Sequence, residues 1–330
     1  KKSGGVTQSH LRFGPDPIKG SYQIQDANFI ACHNQSYVKK YDLVSSLKDG
    51  GSFLLNTVWN DEELEKELPG SLKRALANKH AKFYTIDAFN TARELGLGSR
   101  INMICQAAFF KLSGILPIDQ AVDALKTSIK KTYGNKGQNI VDMNCAAVDR
   151  GISMIHEVAV PESWANAADE PEKDSGAPDC YKNILGVMGR QKGDTLPVSA
   201  FKDHEDGSWY GAISKWEKRG IAIDVPEWDA AKCIECNQCS FVCPHAVIRP
   251  ILLDEAEAKA APEGMAMKEA RGFAGMQYHI AVSGLDCTGC GVCVKACPVD
   301  ALKMTYFEPR QEQNSAEWQY TDNKVSWKQI

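Results

Sequence analysis

Long hydrophobic runs are missing from this 330-residue sequence. None approaches the roughly 18 uninterrupted apolar residues of a membrane-spanning helix, so no membrane span is expected. Charge of one sign is missing too. With 38 basic against 42 acidic residues, both interspersed, the net charge of −4 offers no electrostatic footprint for nucleic acid or an anionic membrane surface. There is no secretory signal pattern. The chain opens on KKSGGVTQSH without a methionine and stops at VSWKQI, so it reads as a piece of something longer. Glycine patterns for nucleotides are also lacking: no intact G-x-G-x-x-G or P-loop occurs, and ELGLGSR is only a glycine-containing turn. No Ser–His–Asp or comparable nucleophilic pattern stands out, which leaves covalent hydrolytic chemistry without candidates.

What the sequence does have is cysteine. Of twelve, Cys32, Cys105, Cys145 and Cys180 are scattered and eight crowd into CIECNQCSFVCP and CTGCGVCVKACP. In a mid-sized chain with no export signal, such crowding favours cluster or metal ligation in a reducing cytoplasm over disulfides. Both stretches read C-x-x-C-x-x-C-x-x-x-C-P. The first uses Cys233, Cys236, Cys239 and Cys243; the second, 54 positions later, uses Cys287, Cys290, Cys293 and Cys297. This is the bacterial ferredoxin spacing, in which the fourth cysteine ligates the other cluster. Three closely spaced thiolates wrap three corners of a cubane, and the fourth, beside a proline-marked turn, lies too far round to close the same cube. The expected ligand sets are Cys233, Cys236, Cys239 and Cys297 for one [4Fe–4S] cluster (cluster A), and Cys287, Cys290, Cys293 and Cys243 for the other (cluster B).

All three proximal cysteines are present in each motif, so a three-iron cluster is not expected. Structural zinc commonly uses two cysteine pairs split by a longer loop, which this spacing does not resemble. His245 adjoins a full ligand set and reads as a packing or hydrogen-bonding residue, not a ligand. Gly289 and Gly291 are expected to let backbone N–H groups approach cluster sulfurs. The 43 residues 244–286 between the motifs are long for a ferredoxin core and read as an insertion covering one cluster. Met265 and Met267 within it are expected to pack there. Two such clusters in one module imply one-electron relay.

The preceding residues read as α/β. SYQI, NFIACH, SFLLNTVW and KFYTID have the look of strands in a covered sheet. DEELEKELPGSLKRALANKH carries acids early and bases late, as a helix dipole favours, with Pro69 marking a break or second start. Residues 100–113 place Ile101, Ile104, Cys105, Ala108 and Leu112 on one helical face, making Cys105 a core thiol. IDQAVDALKTSIKKTYG is a second helix ending at Gly134, and NIVDMNCAAVDRGISMIHEV a third. The expected architecture is a parallel or mixed sheet with helices on both faces, spanning 1–165. A linker and connector follow at 166–225, then an α+β ferredoxin-like domain at 226–310, then a tail at 311–330 that leads onward and need not fold alone.

KKSGGVTQSHLRFGPDPIKGSYQI, FIACHNQSYV, GQNIVDMNCAAVDRGI, YGAISKWEKRGIAIDVPEW and CIECNQCSFVCPHAVIRP together resemble pyruvate:ferredoxin (or flavodoxin) oxidoreductases over nearly the whole chain. The resemblance implies an internal section of such an enzyme. It would comprise most of a γ-type domain lacking its first strand, a connector carrying Glu217-Lys218-Arg219, and the 2[4Fe–4S] ferredoxin domain. It further implies conversion of pyruvate and coenzyme A to acetyl-CoA and carbon dioxide, with ferredoxin or flavodoxin as acceptor and a homodimeric cytoplasmic enzyme. Thiamine diphosphate with magnesium and a third [4Fe–4S] cluster are expected in domains outside this segment; no thiamine-type G-D-G with a following paired asparagine occurs here. The γ-type domain is associated with coenzyme A, whose glycine-rich phosphate loop would lie upstream of Lys1. Lys2, Asn102 and Asn144 are the remaining coenzyme A candidates, against the bland reading of a solvated lysine and two asparagines bonding local backbone. His10 and Arg12 are weaker candidates. The sequence leaves open a non-catalytic electron-carrier module fused to a binding domain, or a relative with another 2-oxoacid or an NADP-linked acceptor.

Overall fold

Three of the apolar runs become neighbouring parallel strands: β1 (Ala27–Cys32), β2 (Leu47–Asn56) and β3 (Lys82–Ile86), with β4 (His156–Val158) antiparallel on the edge beside β3. This computed structural model describes residues 5–169, 171 and 176–328. Those residues divide into two units, one of residues 8–209 and one of residues 210–328 joined by residues 5–7.

In the first unit β2 is the central wall. Phe53, Leu54 and Leu55 are each at most 1% exposed, because successive side chains point to opposite faces and both faces are covered. Phe53 and Leu55 meet Phe83 of β3, and Leu64, Leu72 and Leu76 from α1 (Asp61–Glu67) and α2 (Gly70–Asn78). Leu54 turns the other way, with Ile86, onto α3 (Ala88–Glu94), α4 (Asn102–Ser113) and α6 (Gln138–Ser153). Between α4 and α6 runs α5 (Ile118–Tyr133), stopped at Gly134 as its sequence indicates. The break at Pro69 separates α1 from α2, and Asn60 caps α1 through a reciprocal bond pair with Glu63. Cys105 is buried in the core, as its position on the α4 face requires.

Two elements differ from the sequence expectation. SYQI (21–24) takes no strand, its nearest anchor being the Ile24 N–H donating to His10 Nδ1 at 3.0 Å. The third helix stops at Ser153, and its expected last residues form β4, because the open edge of β3 supplies ladder partners from Phe83 to Thr85. The residues on either side of the expected boundary at 165 are docked. Trp164 is buried against Phe83, its Nε1 donates to Glu65 at 2.5 Å, and Arg74 pairs with Asp169 at 2.5 Å. A short helix, α7 (Gly186–Gly189), follows.

The second unit repeats its own backbone. Its elements are β5 (Asp224–Trp228), α8 (Gln238–Phe241), β6 (Ile248–Leu253), α9 (Glu255–Lys259), β7 (Lys268–Glu269), β8 (Gln277–Val282), α10 (Val292–Ala296), β9 (Leu302–Tyr306) and α11 (Gln311–Asn323). Ile248 and Leu302, which open β6 and β9, are 54 positions apart, like the cysteine motifs. The strand entering each half pairs antiparallel with the strand leaving the other: β5 with β9, and β8 with β6. Val225, Ile248, Ile280, Val282 and Leu302 fill the core between the two ribbons, beside Cys287 and Cys293. The departure from symmetry is the stretch between β6 and β8, which carries α9 and β7.

Candidate iron–sulfur centres

Each cysteine loop turns twice through the left-handed region before its short helix begins. In the second motif glycines make the turns, Gly289 and Gly291 both at φ 70°. In the first motif the equivalent positions hold Glu235 at φ 61° and Asn237 at φ 60°. After the fourth cysteines the symmetry persists, with Ala246 at φ 53° and Asp300 at φ 50°. These turns aim main-chain N–H groups at sulfur. Glu235 N–H donates to Cys233 Sγ at 3.4 Å, Gly289 N–H to Cys287 Sγ at 3.4 Å, and Ala301 N–H to Cys297 Sγ at 3.2 Å. Such donors stabilise thiolate and so suit iron ligation. The expectation for Gly289 holds; the non-glycine turns were not visible in the spacing, since nothing local demands φ > 0 there.

The thiols gather in two sets. The charges that act on Cys239 come from Cys233, Cys236 and Cys297, and those that act on Cys293 come from Cys287, Cys290 and Cys243. Cys243, Cys287, Cys290 and Cys293 line one recess, walled by Ile248 and Met304. Burial pushes the Cys239 thiol up to about 11 and the Cys293 thiol up to about 12, with neighbouring thiolates adding to the rise. A cation must therefore displace these protons as it binds. Among the described residues no three His, Cys, Asp or Glu side chains gather as tightly as one metal ion needs. Around a single zinc, sulfurs at about 2.3 Å crowd far closer together than four thiolates at the corners of a cubane do. The donor set, four thiols in each of two groups, thus fits iron–sulfur cubanes. The middle thiols Cys236 and Cys290 are exposed, as is Phe241 beside the first set.

Around these loops stand groups the cysteine spacing did not announce. Lys218 of the Glu217-Lys218-Arg219 triplet pairs with Asp286, next to Cys287, and Gly220 N–H donates to Leu285 O at 2.7 Å. Arg219 turns back on Glu217 at 2.7 Å. On the other side Tyr278 Oη donates to Asn237 Oδ1 at 2.6 Å, and Lys268 Nζ donates to the Cys233 carbonyl at 2.6 Å. Burial, then the thiolates of Cys233 and Cys239, drives the Tyr278 phenol far up, so it stays a donor. Met265 is buried, as packing required; His245 borders the recess that holds Cys243.

Of the coenzyme A candidates, Lys2 lies outside the described residues. Asn102 is exposed at the first turn of α4, whereas Asn144 is buried in α6 with its amide already donating to Ile140 O at 2.8 Å. Arg12 lies over the Tyr22 ring at 4.3 Å. Cys32 and Cys105 are buried thiols with pKa raised by burial, to about 11 and about 12.

An α/β unit followed by a pseudo-symmetric dicluster ferredoxin-type unit defines an electron-transfer protein of the iron–sulfur class. Residues 1–154 match the pyruvate ferredoxin/flavodoxin oxidoreductase family, 166–222 the EKR domain of unknown function, and 232–301 a 4Fe-4S dicluster domain. A pyruvate-flavodoxin oxidoreductase of Klebsiella pneumoniae is 50% identical over 324 residues, which is 97% of this chain and 28% of that protein. A pyruvate:ferredoxin oxidoreductase of Moorella thermoacetica is 50% identical over 313 residues, covering 93% of this chain and 27% of that protein. A mitochondrial pyruvate dehydrogenase [NADP(+)] of Euglena gracilis is 45% identical over 307 residues, covering 92% of this chain and 17% of that protein. The chain belongs to the pyruvate ferredoxin/flavodoxin oxidoreductase family, and it spans just over a quarter of the length of the first two of these relatives.

Proposed function

We propose that this chain is the electron-relay section of an enzyme that oxidises pyruvate with coenzyme A to acetyl-CoA and carbon dioxide, passing the two electrons on singly. The reading rests on one observation above all: each set of four thiols takes three from one motif and one from the other. Cys233, Cys236, Cys239 and Cys297 hold cluster A, and Cys287, Cys290, Cys293 and Cys243 hold cluster B. The two [4Fe–4S] clusters supply reversible one-electron uptake at low potential. The chain's own residues then do three things. Buried Cys287 and Cys293 and the apolar wall around them keep water from the sulfurs, the N–H groups of Glu235, Gly289 and Ala301 stabilise the thiolates, and exposed Cys236 and Cys290 leave each site an edge at the surface.

The oxidative chemistry belongs, on this reading, to thiamine diphosphate and magnesium held by domains outside this segment. A third [4Fe–4S] cluster there, a homodimeric assembly, a cytoplasmic setting and ferredoxin or flavodoxin as acceptor complete the proposal. The name of the Euglena gracilis relative favours a second acceptor, NADP, in part of the family. Lys2 and Asn102, the latter exposed, are the coenzyme A contacts we favour; the local bond of Asn144 supports a structural role for it.

Anaerobic metal analysis with electron paramagnetic resonance on the dithionite-reduced protein tests the ligand sets. This section should account for about eight iron atoms in two [4Fe–4S] clusters. Cys297→Ser should remove the cluster built on the first motif, and Cys243→Ser the one built on the second. Zinc in place of iron, or each serine costing the cluster of its own motif, would defeat the assignment.

A further inference from the structure

The two cluster loops share their backbone but not their surroundings. At the first left-handed turn the second motif has Gly289, the residue that adopts φ 70° without strain. The first motif has Glu235 there, at φ 61°, where a side chain is tolerated only at a cost. That side chain is only 9% exposed, and it is fully engaged. Its carboxylate accepts from the Arg271 N–H at 2.8 Å and lies 3.3 Å from Lys268 Nζ. Lys268 also donates to the carbonyl of Cys233, a cluster A ligand, at 2.6 Å. At the second turn the same exchange recurs: Asn237 replaces the glycine equivalent, Gly291, and receives the Tyr278 hydroxyl. Both non-glycine turns thus spend backbone comfort to engage the segment between β6 and β8 and the strand that follows it. Around cluster B neither side chain has a counterpart, since both positions are glycine.

We propose that Lys268 is the positioning residue through which the 254–276 segment raises the reduction potential of cluster A, so that the two clusters are not interchangeable steps in the relay. A cluster gains one negative charge on reduction, so a nearby cation favours the reduced form and a nearby anion opposes it. Lys268 sits one carbonyl away from a ligand and neutralises a shielded carboxylate. Its loss would leave the anion of Glu235 beside the cluster with only the Arg271 N–H as partner. The loss of Glu235 would leave the cation. The two substitutions therefore push in opposite directions, which no merely structural tether would do.

This inference rests on the ligand assignment proposed above. The test is an anaerobic redox titration, followed by electron paramagnetic resonance, on the full-length, cluster-loaded enzyme. In Lys268→Met one midpoint should fall, changing the oxidised-to-reduced ratio of that cluster about tenfold at fixed potential, or about 59 mV for one electron. In Glu235→Gln the same midpoint should rise. Lys268→Arg should restore the parent value, and the remaining midpoints should not move. If Lys268→Met fails to load iron, the Glu235→Gln and Lys268→Arg pair still decides the matter. Unchanged midpoints in iron-replete variants, or shifts of the same sign in Lys268→Met and Glu235→Gln, overturn the role of Lys268 alone. A parent enzyme that lacks two [4Fe–4S] signals from this section overturns the ligand assignment and this inference with it.

Discussion

The His279 ring in β8 is 3% exposed, with Nδ1 2.7 Å from the Ala266 carbonyl oxygen and Nε2 buried without a hydrogen-bond partner. Burial pulls its pKa below the ordinary 6.5, and the bond to Ala266 only partly opposes this. The unfolded chain therefore takes up this proton before the folded one does. Stability from the neutral ring is complete above about pH 6.5 and is lost as pH falls from there through the folded-state pKa. Within that window one such group changes stability by at most about 1.4 kcal/mol per pH unit. Urea titrations of parent and His279→Gln at pH 7.5 and 5.5 should show the smaller acid loss in the variant, whose amide can still donate to Ala266. Equal losses would remove His279 as the cause. At this scale the grouping of the eight thiols was legible, because a cubane dictates short spacings along the chain itself. Glu235 and Asn237 were not, because their positive φ angles go with partners 36 and 41 positions away, Arg271 and Tyr278.

At the scale of elements, regular periods were read well and edges poorly. The short apolar runs in SFLLN and KFYTI and the apolar face of α4 each recorded a burial that the structure supplies. The sequence of α6 carries a helical pattern past Ser153, yet His156–Val158 is a strand, because an unpaired edge of β3 outbids local propensity. The contact between α4 and α6 was invisible for a similar reason. A Cβ built on Gly151 would lie 2.4 Å from the Ile104 carbonyl oxygen and 3.0 Å from the Ala107 side chain. Both obstacles are a helix backbone and its smallest side chain, so neither can swing away. Gly151→Ala should therefore destabilise the α/β unit by about 2 kcal/mol, despite alanine's better helix propensity. A denaturant midpoint equal to or above that of the parent would show that α4 and α6 separate freely.

On the scale of the whole chain, the tail of the dicluster unit is tied to the unit's middle by polar contacts that no motif announces. The tail, expected to lead onward and not required to fold alone, carries α11, whose Asn314 amide bridges the Val282 carbonyl and the Gly284 N–H at 3.0 Å each. Arg249 pairs with Asp322 at 2.9 Å and lies over the Trp318 ring. Farther on, Lys328 reaches Glu257 Oε2 at 2.5 Å, both side chains being only 12–13% exposed. Burial alone would raise the Glu257 pKa, but Lys328, Ser326 and the Asp254 N–H outweigh it and hold the carboxyl at about 2. That carboxylate also accepts the Asp254 N–H at the start of α9, so one charge secures both the inserted segment and the tail. Composition could not reveal this, since the partners are 71 positions apart in polar, unremarkable sequence. Lys328→Ala leaves Glu257 shielded and short of a cation, an outcome that falls between an exposed pair and a fully buried one, at about 2 kcal/mol. Limited proteolysis should then cut within 311–328 faster in the variant than in the parent, while Lys328→Gln, which keeps a donor, should show an intermediate rate. Cleavage at the parent rate in both would mean that Asn314, Arg249 and the ring contacts hold α11 without the ion pair.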